Sequence, residues 1–142
     1  MSKIRSKKIR VGDVYAIPLP NKKYAFGRVF KDANIAIYKH IGDALDDLPM
    51  DEDYQFIVGV YKDVLQSGKW LIVDYRPFDD DEYAWPPPMC VIDKISEKFS
   101  IYYKGHLRAS TKSECDGLEE AAVWEEEHIV DRIMGEDKWH RH

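Results

Sequence analysis

The sequence predicts a mostly β protein, built as a curved antiparallel sheet or an SH3-like small barrel of about six to seven strands with one C-terminal helix. Short segments in which apolar and polar residues alternate recur along the chain, and turn residues separate them. The one long helix signal lies in a stretch that begins at Asp116, and 42–48 is expected to form a short helix or a turn. The 142 residues, of which 44% are apolar, can bury one core. We therefore expect a single domain over 1–142, with a basic segment at 1–10.

The first strands are predicted to pair as hairpins. Apolar side chains alternate in residues 11–20 and 23–30, and Asn21-Lys22 supplies the polar turn between them. A third strand is expected at 35–38. A second hairpin is expected from 54–61 and 70–75, closed by a link at 66–69. Gly59 falls inside a strand, where glycine often marks a bulge or a close backbone approach.

The remaining predicted elements are a stiff loop, two strands and the helix. Residues 76–88 include three consecutive prolines and are expected to form a loop, with strands following at 89–92 and 99–103. Asp116 and Glu119 have the spacing of a capping box, and Gly135 is a natural stop, so the helix is predicted between them. Trp124 would lie on the polar side of this helix, unless it packs against the neighbouring sheet.

Residues that could perform chemistry are scattered along the chain. The five histidines show no metal-ligand spacing, and no nucleophile, phosphate-loop or dinucleotide motif is present. Cys90 and Cys115 also lack metal or redox spacing, so we expect them to be reduced and structural, as in the cytosol. The predicted protein is cytoplasmic and not an enzyme, with no catalytic residue, no cofactor, no metal and no membrane contact. No apolar stretch approaches the roughly 20 residues of a membrane span.

Charge is unevenly distributed. Residues 1–10 contain five basic residues and no acid, so the rest of the chain carries a net charge of −10. Such a body repels a phosphate backbone, which argues against direct nucleic-acid binding. It favours a basic protein as the partner and speeds the encounter with it.

Two acidic segments are the candidate interface. The first combines four consecutive acids with aromatic residues ahead of the prolines, a composition that suits a stiff recognition loop. Trp85 has an alternative role as an inward-facing lid on the barrel. Together with Trp124 as a further anchor, the candidate binding residues are Asp79, Asp80, Asp81, Glu82, Tyr83 and Trp85 in the first segment, and Asp46, Asp47, Asp51, Glu52 and Asp53 in the second.

The opening motifs carry a family resemblance. Gly12-Asp13-Val14-Tyr15-Ala16-Ile17-Pro18-Leu19 and Tyr24-Ala25-Phe26-Gly27-Arg28-Val29, with the later Gly68-Lys69-Trp70 and Pro77-Phe78, resemble the immunity protein 26 family of bacterial polymorphic-toxin systems. The resemblance covers about residues 11–92. It implies a small cytoplasmic antidote that binds the toxin domain encoded beside it, including toxins of contact-dependent growth inhibition. It supplies no catalytic residue.

The net charge of the protein narrows the class of toxin that we expect as its partner. An antidote with a strongly negative body complements a basic cleft of the kind that nucleases use, so we expect a nuclease, with an RNase favoured, whose active site is occluded. Holding the toxin in an inactive arrangement is the other mechanism. An SH3-like adaptor for peptides or nucleic acids is the alternative function, because a Gly-Asp-Val strand before a Gly-Arg-Val strand also occurs in small barrels. A small hydrolase that uses the acidic loop is the third.

Overall fold

The computed structural model describes residues 8–136, and it consists of two sheets with short helices. The basic segment expected at 1–10 falls mostly on residues 1–7, outside the described residues. In chain order the elements are β1 (Asp13–Pro18), β2 (Tyr24–Phe30), β3 (Asn34–Tyr38), β4 (Tyr54–Val60), α1 (Lys62–Gln66), β5 (Leu71–Tyr75), a 3₁₀ helix (Asp81–Ala84), β6 (Met89–Asp93), β7 (Lys98–Tyr103), β8 (His106–Ser110), α2 (Lys112–Cys115), β9 (Val123–Trp124) and α3 (Glu126–Ile133).

The larger sheet confirms the mostly β prediction. Its six strands run in the order β5-β1-β2-β3-β4-β9, antiparallel except for the parallel pair of β4 and β9, and they do not close into a barrel. The alternation in β1 directs successive side chains to opposite faces, and apolar residues cover both. One face, which includes Tyr15, Ile17, Ile35 and Ile37, packs against Trp70 and against Ile129 of α3. The other face is built on Val14, Ala16, Phe26 and Tyr38.

The first predicted hairpin is confirmed, but the second is wrong. β1 and β2 pair around the turn that contains Lys22, whose φ of 66° is left-handed. β4, however, lies between β3 and β9, whereas β5 pairs with β1 at the opposite edge of the sheet. The connection between them folds into α1, which buries Val64 and Leu65 against the core. Because α1 packs on the core, the chain crosses to the opposite edge of the larger sheet, and β4 and β5 are not joined by the tight turn of a hairpin.

The C-terminal helix begins later than predicted. α3 starts at Glu126, because the preceding segment pairs its backbone with strands instead. The amide of Cys90 donates to Glu119 at 2.8 Å, and the amide of Ala121 donates to the Cys90 carbonyl at 2.7 Å. β9 then joins β4 beside Gly59, where an added Cβ would lie 2.7 Å from the Ala122 carbonyl oxygen. The close approach expected at Gly59 is therefore confirmed.

The smaller sheet has the order β6-β7-β8, and its first two strands match the predicted ones. β8 was not predicted, because its alternation is short and weak, with only Leu107 and Ala109 as apolar residues. Cys90 and Cys115 form a disulfide between β6 and α2, with their Cα atoms 5.3 Å apart. The expectation of reduced cysteines is thus wrong for this structure. Spacing along the chain gave no signal, because 25 residues separate two positions that the fold brings together.

Candidate binding face

Arg28 on β2 anchors the proline-rich loop to the larger sheet. Its buried guanidinium donates from Nε to the Arg76 carbonyl at 2.8 Å and from Nη2 to the Pro77 carbonyl at 3.0 Å. A third bond, from Nη1, reaches the Tyr54 hydroxyl at 3.0 Å, and the Phe78 ring centroid lies 3.7 Å from the guanidinium carbon. Two motifs that lie about 50 residues apart in the sequence therefore meet at one point.

Arg76 joins the two acidic segments. Its guanidinium contacts Asp74 at 2.8 Å and Glu52 at 3.0 Å, and it donates to the Pro49 carbonyl at 2.8 Å. Glu52 also lies 3.5 Å from Nη1 of Arg28. The loop at 43–53 and the loop at 76–85 are thus held side by side. We call the surface formed by these two loops the acidic face.

The ionisable groups beneath the acidic face are fixed in one protonation state near neutral pH. Burial and a hydrogen bond to Glu52 raise the pKa of the Tyr38 hydroxyl, and burial raises the pKa of Tyr54. The hydrogen bond from Arg76 lowers the pKa of Asp74. The tyrosines therefore stay protonated as donors, and the carboxylate stays charged. This arrangement supplies structure and fixed charge.

Most of the first acidic run is bound within the protein. Asp80 caps the 3₁₀ helix by accepting from the amide of Glu82 at 3.0 Å. Asp81 forms an ion pair with Lys31, and Glu82 forms one with Lys104. These predicted binding residues therefore hold the loop in place, and Asp81 and Glu82 present little uncompensated charge.

The second acidic segment also contains both carboxylates that are bound within the protein and carboxylates that are not. Asp47 accepts from the Asp43 amide at 2.9 Å and lies 3.3 Å from His40, while Asp53 lies 3.5 Å from Lys39. Asp80 makes no ion pair, but it caps the 3₁₀ helix. Three exposed carboxylates of the acidic face make neither an ion pair nor a side-chain hydrogen bond with any residue in 8–136, namely Asp46, Asp51 and Asp79. The uncompensated negative charge of the acidic face is concentrated on them.

The predicted aromatic anchors differ in exposure. Tyr83 is 69% exposed, whereas Trp85 is half-buried with the Lys31 ammonium 4.9 Å from its ring centroid. Trp124 is only 6% exposed in β9, so it packs against the sheet as in the alternative given for it. Sequence reasoning missed Met50, which is 90% exposed beside Asp51. Its signal was an apolar residue between a proline and three acids.

One group of metal-ligand type lies in the described part of the chain, away from the acidic face. Oxygen and nitrogen atoms of Glu125, Glu127 and His128 approach within 4.8 Å of one another at the start of α3. The partial positive charge of a helix N-terminus opposes a cation at this place. Among the helices in residues 8–136, none has the length and hydropathy that a membrane span requires.

Comparison with known proteins assigns the chain to a family. No curated protein and no solved structure matches it. The family model described as Immunity protein 26 matches residues 10–101. This range covers well over half of the 142 residues, including the whole acidic face and the Arg28 anchor. The resemblance seen in the opening motifs is confirmed, and the chain belongs to the immunity protein 26 family.

Proposed function

We propose that this protein acts in the cytoplasm, where it binds a cognate bacterial toxin domain through the acidic face and neutralises it by occluding the active site. Family membership is the observation that carries the immunity role and implies a toxin as the partner. The surface assignment is supported by the uncompensated carboxylates of Asp46, Asp51 and Asp79. These three charges can pair with a partner without first breaking an ion pair of this protein.

The charge of the face supports a basic toxin, and we favour a nuclease, with an RNase as the first choice. A nuclease cleft binds the phosphate backbone through lysine and arginine side chains. A surface with several fixed carboxylates competes for the same cations and excludes the substrate from the cleft. Contact-dependent growth inhibition is one delivery route that such a toxin could use.

The anchoring of both loops supports tight binding. Arg28 and Arg76 hold the loops before the partner arrives, so less conformational entropy is lost on docking. Met50 and Tyr83 extend from this fixed frame as large exposed side chains. Residues of this type supply a disproportionate share of interface energy when a partner pocket covers them. Charge would then govern the rate of encounter, and these two side chains would slow dissociation.

The test begins with the toxin domain encoded beside this gene, purified with and without the protein. We expect a complex in which toxin activity is blocked. Asp51→Lys and Asp79→Lys together should slow association, and the loss should be larger at low salt than at high salt. Asp63→Lys and Asp116→Lys together are the matched control, because this pair makes the same total charge change on α1 and at the end of α2, outside the acidic face.

Three results would count against the proposal. Equal affinity of the double variant and the wild type at both salt concentrations would exclude the acidic face as the interface. A strongly acidic toxin domain, or one that forms a membrane pore, would exclude the nuclease. Salt-dependent binding of generic RNA or DNA by this protein alone would support the adaptor function instead.

A further inference from the structure

The two sheets have four edges, and within residues 8–136 three of them carry a feature that disfavours the addition of another strand. β9 is only two residues long, and the pairing of β5 with β1 shifts register between Val14 and Tyr15. The edge of β6 is covered by backbone hydrogen bonds between Cys90 and residues 119–121. Short strands, irregular pairing and covering segments are the devices by which proteins prevent unwanted strand addition.

β8 lacks all three of these devices. It pairs with β7 at five consecutive positions, from Phe99 opposite Ser110 to Tyr103 opposite His106, without a register shift. No strand of the described chain lies on its other side. In an antiparallel strand, alternate residues direct their N–H and C=O groups away from the existing partner. β8 therefore presents a regular row of open backbone donors and acceptors.

The side chains around β8 give this edge a distinct charge. Residues 94–112 contain five lysines and arginines but one glutamate, and of these cations Lys104 is already paired with Glu82. Arg108 lies 3.6 Å from Glu114 in an exposed pair. Lys94, Lys98 and Lys112 make no ion pair within residues 8–136. Leu107, on β8 itself, is 62% exposed and adds an apolar contact.

Repulsion of other strands is a sufficient explanation for a single lysine or arginine on an edge strand. Here the cations extend beyond β8 to the turn between β6 and β7 and into α2. Protection of one edge from strand addition does not require charges at these places. A second copy of the chain is a poor occupant, because pairing two β8 strands brings two Arg108 side chains and their neighbouring cations together. Nucleic acid is also a poor occupant, since the body of the protein is strongly negative.

We propose that β8 binds an extended acidic segment of a partner protein, which adds to the smaller sheet as a fourth strand. Main-chain hydrogen bonds supply affinity in this mode of recognition, and alternate side chains supply specificity. Acidic side chains on one face of the added strand would meet Arg108, and an apolar side chain on the other face would cover Leu107. This interface is separate from the acidic face and does not depend on the identity of the toxin.

The test selects binders from a random dodecapeptide phage library on the full-length protein. We expect the selected peptides to alternate acidic with apolar residues. A synthetic copy of the best peptide, measured by fluorescence anisotropy, should bind Arg108→Glu about tenfold more weakly than the wild type. Lys62→Glu is the matched control, because it makes the same charge change on α1, and its affinity should stay within about twofold. Amide exchange in 106–110 should slow on binding, while exchange in β5 stays the same.

Four outcomes would overturn the proposal. These are peptides without acidic enrichment, equal affinity of the Arg108→Glu and Lys62→Glu variants, protection of β5 in place of β8, and dimerisation of the protein through β8. Tight binding of an RNA or DNA oligonucleotide that Arg108→Glu abolishes would assign the patch to nucleic acid instead. Variants of Asp51 and Asp79 should bind the peptide normally, so failure here is distinguishable from failure of the acidic face.

Discussion

Replacing Arg28 with lysine tests whether the guanidinium anchor holds the proline-rich loop. The change keeps the positive charge beside Glu52 but removes the planar fork that reaches two carbonyls and one hydroxyl at once. An ammonium group can replace about one of these three hydrogen bonds, and it loses much of the stacking on Phe78. Hydrogen bonds to a charged group contribute about 1.5–3 kcal/mol each when buried. Allowing for relaxation, we expect a loss of about 3 kcal/mol in the free energy of unfolding.

The assay is urea denaturation monitored by tryptophan fluorescence. Arg28→Lys should lower the midpoint without a large change in the slope, because the unfolded state is little affected. Arg10→Lys is the matched control. Arg10 also lies 3.7 Å from an aromatic centroid, that of Tyr75, and it donates twice to Asp13, at 2.9 and 2.7 Å. Its guanidinium is exposed, however, and both bonds end on one oxygen of the buried Asp13, so a single ammonium donor can replace them and the effect should be clearly smaller.

Two results would refute this reasoning. If the two variants have equal midpoints, burial of the Arg28 fork does not matter to stability. If Arg28→Lys loses stability but keeps full affinity for the toxin domain, the loop does not need this anchor to present its carboxylates.

Three further predictions concern the core and the disulfide. Tyr15→Phe should leave stability unchanged or raise it by up to about 1 kcal/mol, because the Tyr15 hydroxyl is buried without a hydrogen-bond partner among the described residues; a clear loss in urea denaturation would show that the hydroxyl is satisfied. Burial raises the pKa values of Tyr15, Tyr38 and Tyr54, so their contribution to stability is complete below about pH 10 and should be lost as pH rises above it; flat stability between pH 8 and 11 would contradict this. Reducing the Cys90–Cys115 disulfide opens the loop that it closes in the unfolded chain, so the unfolded state gains conformational entropy. For a separation of 25 residues, the free energy of unfolding should fall by about 3.5 kcal/mol, measured as a lower urea midpoint with reductant than without.

Local sequence patterns predicted the parts of the fold that local interactions determine. The β1–β2 hairpin and the β6–β7 pair followed from alternation and short turns. Alternation also showed that 54–61 and 70–75 are strands, but a period of two specifies which face a side chain occupies and not which strand lies alongside. The pairing of β5 with β1 could therefore not be predicted from the sequence. The capping box at Asp116 failed for a related reason, because backbone pairing with Cys90 competed with helix formation.

The candidate face shows the same limit. The acidic runs were visible in the sequence, but the sequence does not show which of their carboxylates form ion pairs within the folded protein. Lys31 and Lys104 bind Asp81 and Glu82 from turns elsewhere in the chain, and this pairing separates the charges available to a partner from those used by the fold. The contact between Arg28 and Pro77 was likewise hidden, although both residues belonged to the recognised motifs.

The chemistry of the Arg28 anchor has a consequence for how the protein can change over evolution. Arg28 binds the loop through the main-chain carbonyls of residues 76 and 77, which every amino acid provides. Apart from Phe78, whose ring stacks on the guanidinium, the attachment point therefore places little demand on the side chains that follow it. Substitutions in the loop can alter its charge and shape while its position on the sheet is kept. A lineage facing a new toxin could revise the binding surface without rebuilding the scaffold beneath it.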